Sequence, residues 1–141
     1  MRAMDWPEAS RFLLAGTRTA AIATIRRDGH PHVVPVWFTV EGHDVVFSTS
    51  SASAKAKNLE RDQRATLCVS DDTPPFGFVT IKGEAQCIRR PDDFLVWTTR
   101  IARRYVGPER AVEMGTKYTE MDDTLVRIHV DSFIAYADIV T

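Results

Sequence analysis

Between Ser48 and Arg64 the chain reads STSSASAKAKNLERDQR, a run of hydroxyls leading into a short segment with lysines at 55 and 57. These residue types in this order suit an anion. Ser48, Thr49, Ser50, Ser51 and Ser53 can each donate or accept hydrogen bonds, and Ser53 reads as the N-cap of a helix starting at Ala54. The first turn of such a helix presents unpaired N–H groups and the positive end of its dipole, which favours a phosphate before any lysine is counted. Lys55 adds a full charge. Lys57 is turned by about 200° from it on a helix, so both ammonium groups meet one phosphate only if the first turn is irregular or the ligand extends over the helix end. Arg61 and Arg64 read as surface charges. The competing reading is a solvated loop and helix face, because the spacing matches neither a P-loop nor a dinucleotide fingerprint.

Other chemistry is sparse. His30 and His32 lie at or beside a turn with no carboxylate at metal-ligand spacing, so the sequence predicts no metal site. There is no G-x-S-x-G, no suggested Cys–His pair and no pairing of carboxylates, so no protein side chain is assigned a catalytic role. An enzyme built on this chain needs a bound cofactor to carry the reaction. Cys68 and Cys87 stand far apart inside apolar runs and are expected to be buried, reduced thiols.

A length of 141 residues predicts one domain, 1–141, able to bury a core without disulfides or a structural metal. The formal net charge of −1 argues against a general nucleic-acid surface. No apolar run is long enough for a signal peptide or a membrane span, so a soluble, cytoplasmic protein with no membrane partner is expected.

The elements that must position the Ser/Lys segment follow from period and punctuation. Asp5 to Ala15 reads as a capped helix lying over the core. Thr19–Arg26 and His32–Val40 read as a hairpin turned at Asp28-Gly29, and Asp44–Ser48 as a third strand. Pro35 cannot donate to a ladder, so it marks an edge, a bulge or a break where backbone is left open for a ligand. Ala65–Ser70 and Phe78–Ile88 read as strands around a proline-rich loop, with Gly83 as a bulge. Phe94, Trp97, Ile101 and Tyr105 form one stripe of a helix over Pro91–Tyr105, followed by a short helix over Glu109–Gly115 and two β segments, Leu125–Val130 and Phe133–Ala137. Six or so strands dominated by hairpins predict a mainly β, α+β fold: an antiparallel barrel with appended helices, and not a Rossmann sheet.

Three blocks in order, IATIRRDGHPHVVPVWFTV, VVFSTSSASAKAKNLERDQRATLCV and PPFGFVTIKGEAQ, resemble the pyridoxamine-phosphate-oxidase-like split β-barrel superfamily. Within it they resemble the group that binds the deazaflavin coenzyme F-420. The resemblance spans Ala20 to Val130. It implies a homodimer of split barrels with a cofactor site at each end of the dimer interface. It implies that the cofactor phosphate lies against Ser48, Thr49, Ser50, Ser53, Lys55 and, over the helix end, Lys57, and that the ring lies along Pro35, Val36 and Trp37. Pro75, Phe76 and Phe78 match the part that approaches the ring region or the partner subunit.

The implied activity is hydride transfer from the reduced deazaflavin to a small, electron-poor organic acceptor. Pyridoxamine-phosphate oxidation itself is not expected, because the additional substrate-phosphate arginines of those enzymes have no match here. The same barrel also binds FMN and haem. An FMN-binding oxidoreductase is therefore the first alternative, and a non-catalytic F-420-binding carrier the second.

Overall fold

The computed structural model describes residues 1–140. Its first helix, α1 (Trp6–Leu14), starts where Asp5 accepts a hydrogen bond from the Glu8 N–H at 3.0 Å, with Pro7 in the first turn, and it buries Ala9 and Leu13 in the core. A two-residue strand, β1 (Arg2–Ala3), precedes it. The hairpin of β2 (Ala20–Ile25) and β3 (Pro31–Val36) turns through Gly29, whose φ of 86° suits glycine. Then follow β4 (Thr39–Glu41), β5 (Asp44–Ser50), α2 (Ala54–Arg61), β6 (Arg64–Asp71), β7 (Gly77–Arg89), α3 (Phe94–Val106), α4 (Pro108–Thr119) and β8 (Asp123–Ala137).

All eight strands join one antiparallel sheet in the order β3-β2-β6-β7-β8-β5-β4, with β1 paired to the end of β8. The stretch expected as a single strand, His32–Val40, is thus two strands at opposite ends of the hydrogen-bonded path. Only Trp37 and Phe38 connect them. Two residues span about 10 Å at most from strand end to strand start, so the sheet must curl until its two edges approach. They do not pair. The result is a barrel with an open seam, and Pro35 sits on the edge strand that borders it.

Leaving the ladder strands the polar backbone of residues 37 and 38, and α3 supplies the partners of Phe38. The Phe38 N–H donates to Tyr105 Oη at 3.2 Å, while the Arg104 guanidinium donates to Phe38 O and, at 3.0 Å, to Leu13 O. Tyr105 Oη in turn donates to Arg18 O at 2.9 Å. These bonds tie the seam to α1 and α3 together.

A bulge solves a second geometric problem. Lys82 pairs with Ser132 but Gly83 with Val130, leaving Asp131 as an extra residue. Because side chains alternate, one inserted residue flips the parity of β8. Val126, Ile128 and Val130 face the core before the bulge, and Phe133 and Ala135 face it afterwards. The two short β segments read from the sequence are therefore one long strand. Gly83 is required there, since a Cβ would stand 2.0 Å from His129 O.

Inside the barrel Phe38, Phe47, Ile22, Leu67 and Ile81 are fully buried. Outside, α3 covers β5 and the start of β8, where Phe94 and Trp97 pack on Val46 and Leu125. The final helix runs beyond the expected Gly115 because α4 packs closely on α3 at that glycine: a Cβ would meet Thr99 Oγ1 at 2.5 Å, and Thr98 Oγ1 donates to Gly115 O at 3.0 Å.

The rest of the outer face is bare. A row of cross-strand neighbours, Pro35, Ala21, Cys68, Thr80 and Ile134, runs over five strands without a charge. Cys68 is exposed in it and not buried as expected, because Ala65, Leu67 and Val69 take the inward positions of β6. Cys87 is half-buried and free, its thiol pushed up by burial and then by the Glu60 charge.

Candidate functional site

Where the seam, the end of β5 and the start of α2 converge, the surface opens into a groove of about 340 Å³. Pro35, Val36 and Trp37 form one wall, and Ser48, Thr49, Ser50 and Lys55 form the floor and the far side. Seven of the residues singled out in the sequence therefore lie together. Trp37 is held as a flat wall by Tyr105, whose ring stacks on it at 4.6 Å with 7° between the planes. Val36 lines the groove but is 7% exposed and belongs to the core, so a charged replacement there would damage packing as well as the groove.

The Ser/Lys segment folds as its residue types dictate. Ser53 caps α2, its Oγ accepting from the Ala56 N–H at 3.2 Å and bonding Thr49 Oγ1 at 3.1 Å. Ser50 Oγ accepts from the Ala52 N–H at 3.2 Å, and Ser51 Oγ bonds Thr124 Oγ1 at 2.8 Å. The N–H groups of Ala52, Ser53, Ala56 and Lys57 are thereby used within the loop. Among the described residues those of Ala54 and Lys55 have no partner in the chain. Lys55 is half-buried, enters no ion pair among the described residues, and is pushed below the usual lysine range by desolvation. A half-buried ammonium without a counter-ion would be stabilised by an anion placed beside it.

Four sequence candidates lie elsewhere. Ser53 is consumed as the cap and does not line the groove. Lys57 emerges on the opposite side of α2, as the helical rotation requires, beside Arg26, Arg27 and Arg61. Phe76 and Phe78 belong to the far end of the sheet: Gly77 and Phe78 pair with Ala137 and Tyr136, whereas the groove borders Asp123 at the other end of the same strand. Within one chain they do not meet the groove.

The groove also contains residues the sequence did not announce. Thr98 and Ile101 come from α3, and Tyr118, Met121 and Asp123 from the end of α4 and the start of β8. Ile101 was visible only as part of a helical stripe read as core or interface. For Asp123 there was no local signal, since its place depends on pairing with Ser50 across the β5–β8 ladder. Burial and then the neighbouring Asp122 raise its pKa. His32, expected in a surface or turn position, is half-buried with Nδ1 enclosed and unpartnered. Among the described residues no cluster of His, Cys, Asp and Glu could hold a metal ion.

An antiparallel sheet curled to an unpaired seam, with hydroxyls and a helix start beside that seam, defines a split barrel with a groove at the seam. Comparison with known proteins agrees. The profile of the pyridoxamine 5′-phosphate oxidase family matches residues 6–134, and the chain belongs to that family. A conserved hypothetical protein from Mycobacterium tuberculosis is 27% identical and superposes with a TM-score of 0.84 over 96% of this chain and 86% of that one. An F-420 reductase is 21% identical, with a TM-score of 0.68 over 87% of this chain and 94% of its own. The heme storage protein HutZ from Vibrio cholerae is 18% identical, with a TM-score of 0.72 over 92% and 94%. At those identities the last two share the fold. Among the described residues no helix is long and apolar enough to cross a membrane.

Proposed function

We propose that this groove binds the deazaflavin coenzyme F-420 and that the protein is an F-420-dependent reductase acting on a small, electron-poor organic acceptor. The observation that carries the reading is Lys55: a half-buried ammonium without a counter-ion, at a helix start with two free N–H groups, on the floor of a groove with an aromatic wall. That set fits a ligand with a phosphate at one end and a flat ring system at the other. The volume falls in the usual range for ligand pockets, about 300–1,000 Å³. The resemblance of the three sequence blocks to the F-420-binding group and the fold shared with an F-420 reductase support the choice of deazaflavin.

When bound, the deazaflavin supplies a hydride donor, so no protein nucleophile is needed. The chain's own residues do the rest. Lys55, through its ammonium and its N–H, holds the phosphate, with Ser48 and Ser50 adding hydroxyls. Trp37, backed by Tyr105, presents a flat apolar surface to the ring, and the open backbone of the seam offers its edge hydrogen bonds. Ile101 and Met121 exclude water from the acceptor's side.

Two copies are proposed to pack through the uncharged row from Pro35 to Ile134. That face is continuous with the groove wall at Pro35. A second copy would thus close the groove, and the segment with Phe76 and Phe78, remote from the groove of its own chain, is proposed to serve the partner's.

The test is a fluorescence titration of purified protein with coenzyme F-420 and, in parallel, FMN. Tight binding of F-420 with weak FMN binding supports the reading, and oxidation of the reduced cofactor by one member of an acceptor panel establishes a reductase. Preference for FMN keeps the site and changes the cofactor. Tight F-420 binding with no turnover across quinones, activated alkenes and tetrapyrroles makes the protein a carrier.

A further inference from the structure

Asp123 is the one groove residue whose chemistry opposes the rest. It opens β8 and stands opposite Ser50 in the β5–β8 ladder, a separation of about 5 Å between Cβ atoms. The residue is 5% exposed, yet it lines the groove with Ser50 and Lys55. Its backbone is satisfied, N–H to Met121 O at 2.9 Å and carbonyl from the Arg90 N–H at 3.2 Å, while its carboxyl oxygens have no hydrogen-bond partner among the described residues. They are not among the sealed, unpartnered side-chain atoms, which are His32 Nδ1 and Arg104 Nε, so they keep solvent access in a residue that lines the groove.

The charged groups around it leave it alone. Arg89 is engaged with Asp122 through both Nε and Nη2, and the Arg90 guanidinium donates to Thr119 O at 3.1 Å. Lys55, facing the groove from α2, lies beyond ion-pair reach, and Asp122 adds a like charge next in sequence. Tyr118 is the other titratable residue on the groove wall. An ionised carboxylate here would repel the anion that Lys55 and the start of α2 attract.

We propose that Asp123 enters the complex as a neutral acid and donates its O–H to an oxygen of the bound ligand, so that the groove takes up a proton as it fills. The inference rests on the proposed phosphate-bearing ligand. Burial and Asp122 already hold the carboxyl above the usual aspartate range, and a ligand that displaces water from the groove pushes it the same way. Protonation converts the single opposing charge into a hydrogen-bond donor. It also makes affinity depend on pH in a definite sense: binding weakens as pH rises above the pKa of the free acid.

Calorimetric titration of the full chain with coenzyme F-420, in buffers of low and high ionisation enthalpy between about pH 5 and pH 9, measures the linked protons. Expected are an uptake approaching about one proton per ligand and an affinity falling by up to about tenfold per pH unit on the alkaline side. Asp123→Asn keeps a donor without a titrating group. It is expected to bind within a few-fold of the wild type at the acid end and to lose both the uptake and the pH slope. Proton release, no uptake anywhere in the range, or an uptake unchanged in Asp123→Asn overturns the inference. If the variant does not fold, the wild-type proton count decides alone. Binding that is sensitive to Lys55→Ala but carries no proton uptake sinks the role of Asp123 and leaves the phosphate reading standing. Failure of both F-420 and FMN to bind overturns the two together.

Discussion

The outer face of the sheet has two halves made of similar strands and treated differently. Over β5 and the start of β8 it is covered by α3, on which α4 packs in turn, with Phe94 and Trp97 packed on Val46 and Leu125. Over β3, β2, β6, β7 and the end of β8 it is bare, with Val33 60% and Ile134 55% exposed. The covered half needs nothing more. The bare half carries an uncharged row from Pro35 to Ile134, with Arg64, Lys82 and Glu84 farther along the same face, and the groove opens beside its Pro35 end. This chain thus stops short of enclosing its groove: one wall is built from the helices and the other ends at an edge strand.

The largest effect is expected where one strand serves both halves. Gly83→Val forces a side chain into His129 O and removes the bulge that keeps β8 in phase, so a loss of at least about 3 kcal/mol is expected in chemical denaturation. A stable Gly83→Val protein would mean the two halves do not depend on a common strand. Next, Ile134→Asp places a charge in the bare half without touching the core. If that half is a dimer contact, the dissociation constant should rise at least about thirtyfold, the effect of a residue worth ~2 kcal/mol, as read by light scattering. A wild-type monomer would dissolve the comparison. Lys55→Ala should weaken F-420 binding by about ten- to a hundredfold, or 1.5–3 kcal/mol, if it makes a charge-assisted bond. Lys57→Ala, on the other side of α2, should change it by less than about threefold, since an exposed charge at that distance is screened.

The smallest effect concerns acid. Asp44 joins β5 to β8 under the helices; burial pushes its pKa up, but hydrogen bonds from Arg127 and His129 outweigh this and hold the carboxyl below its ordinary value. A lowered folded-state pKa contributes stability that is present above the unfolded value and is lost as pH falls through the folded one. Asp44→Asn should therefore cost less than about 1 kcal/mol at neutral pH and nothing once pH has fallen below the lowered folded-state value. An equal cost at both ends of the titration would assign the effect to packing.

What could be read in the sequence was whatever is decided locally. The Ser53 cap, the Gly29 turn and the stripe from Phe94 to Tyr105 each rest on a few neighbouring residues, and each is in the structure; the register shift expected at Gly83 is there too, but its extra residue, Asp131, belongs to the partner strand. The split at Trp37 was not legible, because HVVPVWFTV is apolar from Val33 to Phe38 and nothing in it says that its halves pair with different partners. β8 was misread as two segments because an inserted residue inverts the alternation from which strands are inferred. Cys68 was misplaced because an apolar run does not reveal which alternate face is covered. The groove was half legible: Pro35 to Trp37 and Ser48 to Lys55 are contiguous stretches, whereas Thr98, Tyr118 and Asp123 join them only through long-range packing.

The two-residue seam also bears on how the chain folds. Val36 and Thr39 are near neighbours in sequence, yet the strands they end and begin occupy opposite ends of the ladder, so no hairpin can zip across them. β4 and β5 must instead wait for β8, with Asp44 meeting His129 at a separation of 85 positions. Closing so long a loop before any reward in contacts is entropically slow. Tyr105 and Arg104 reach Phe38 over separations of 67 and 66 positions, so the stacking of Trp37 on Tyr105 should likewise come late among the spectroscopic changes during refolding.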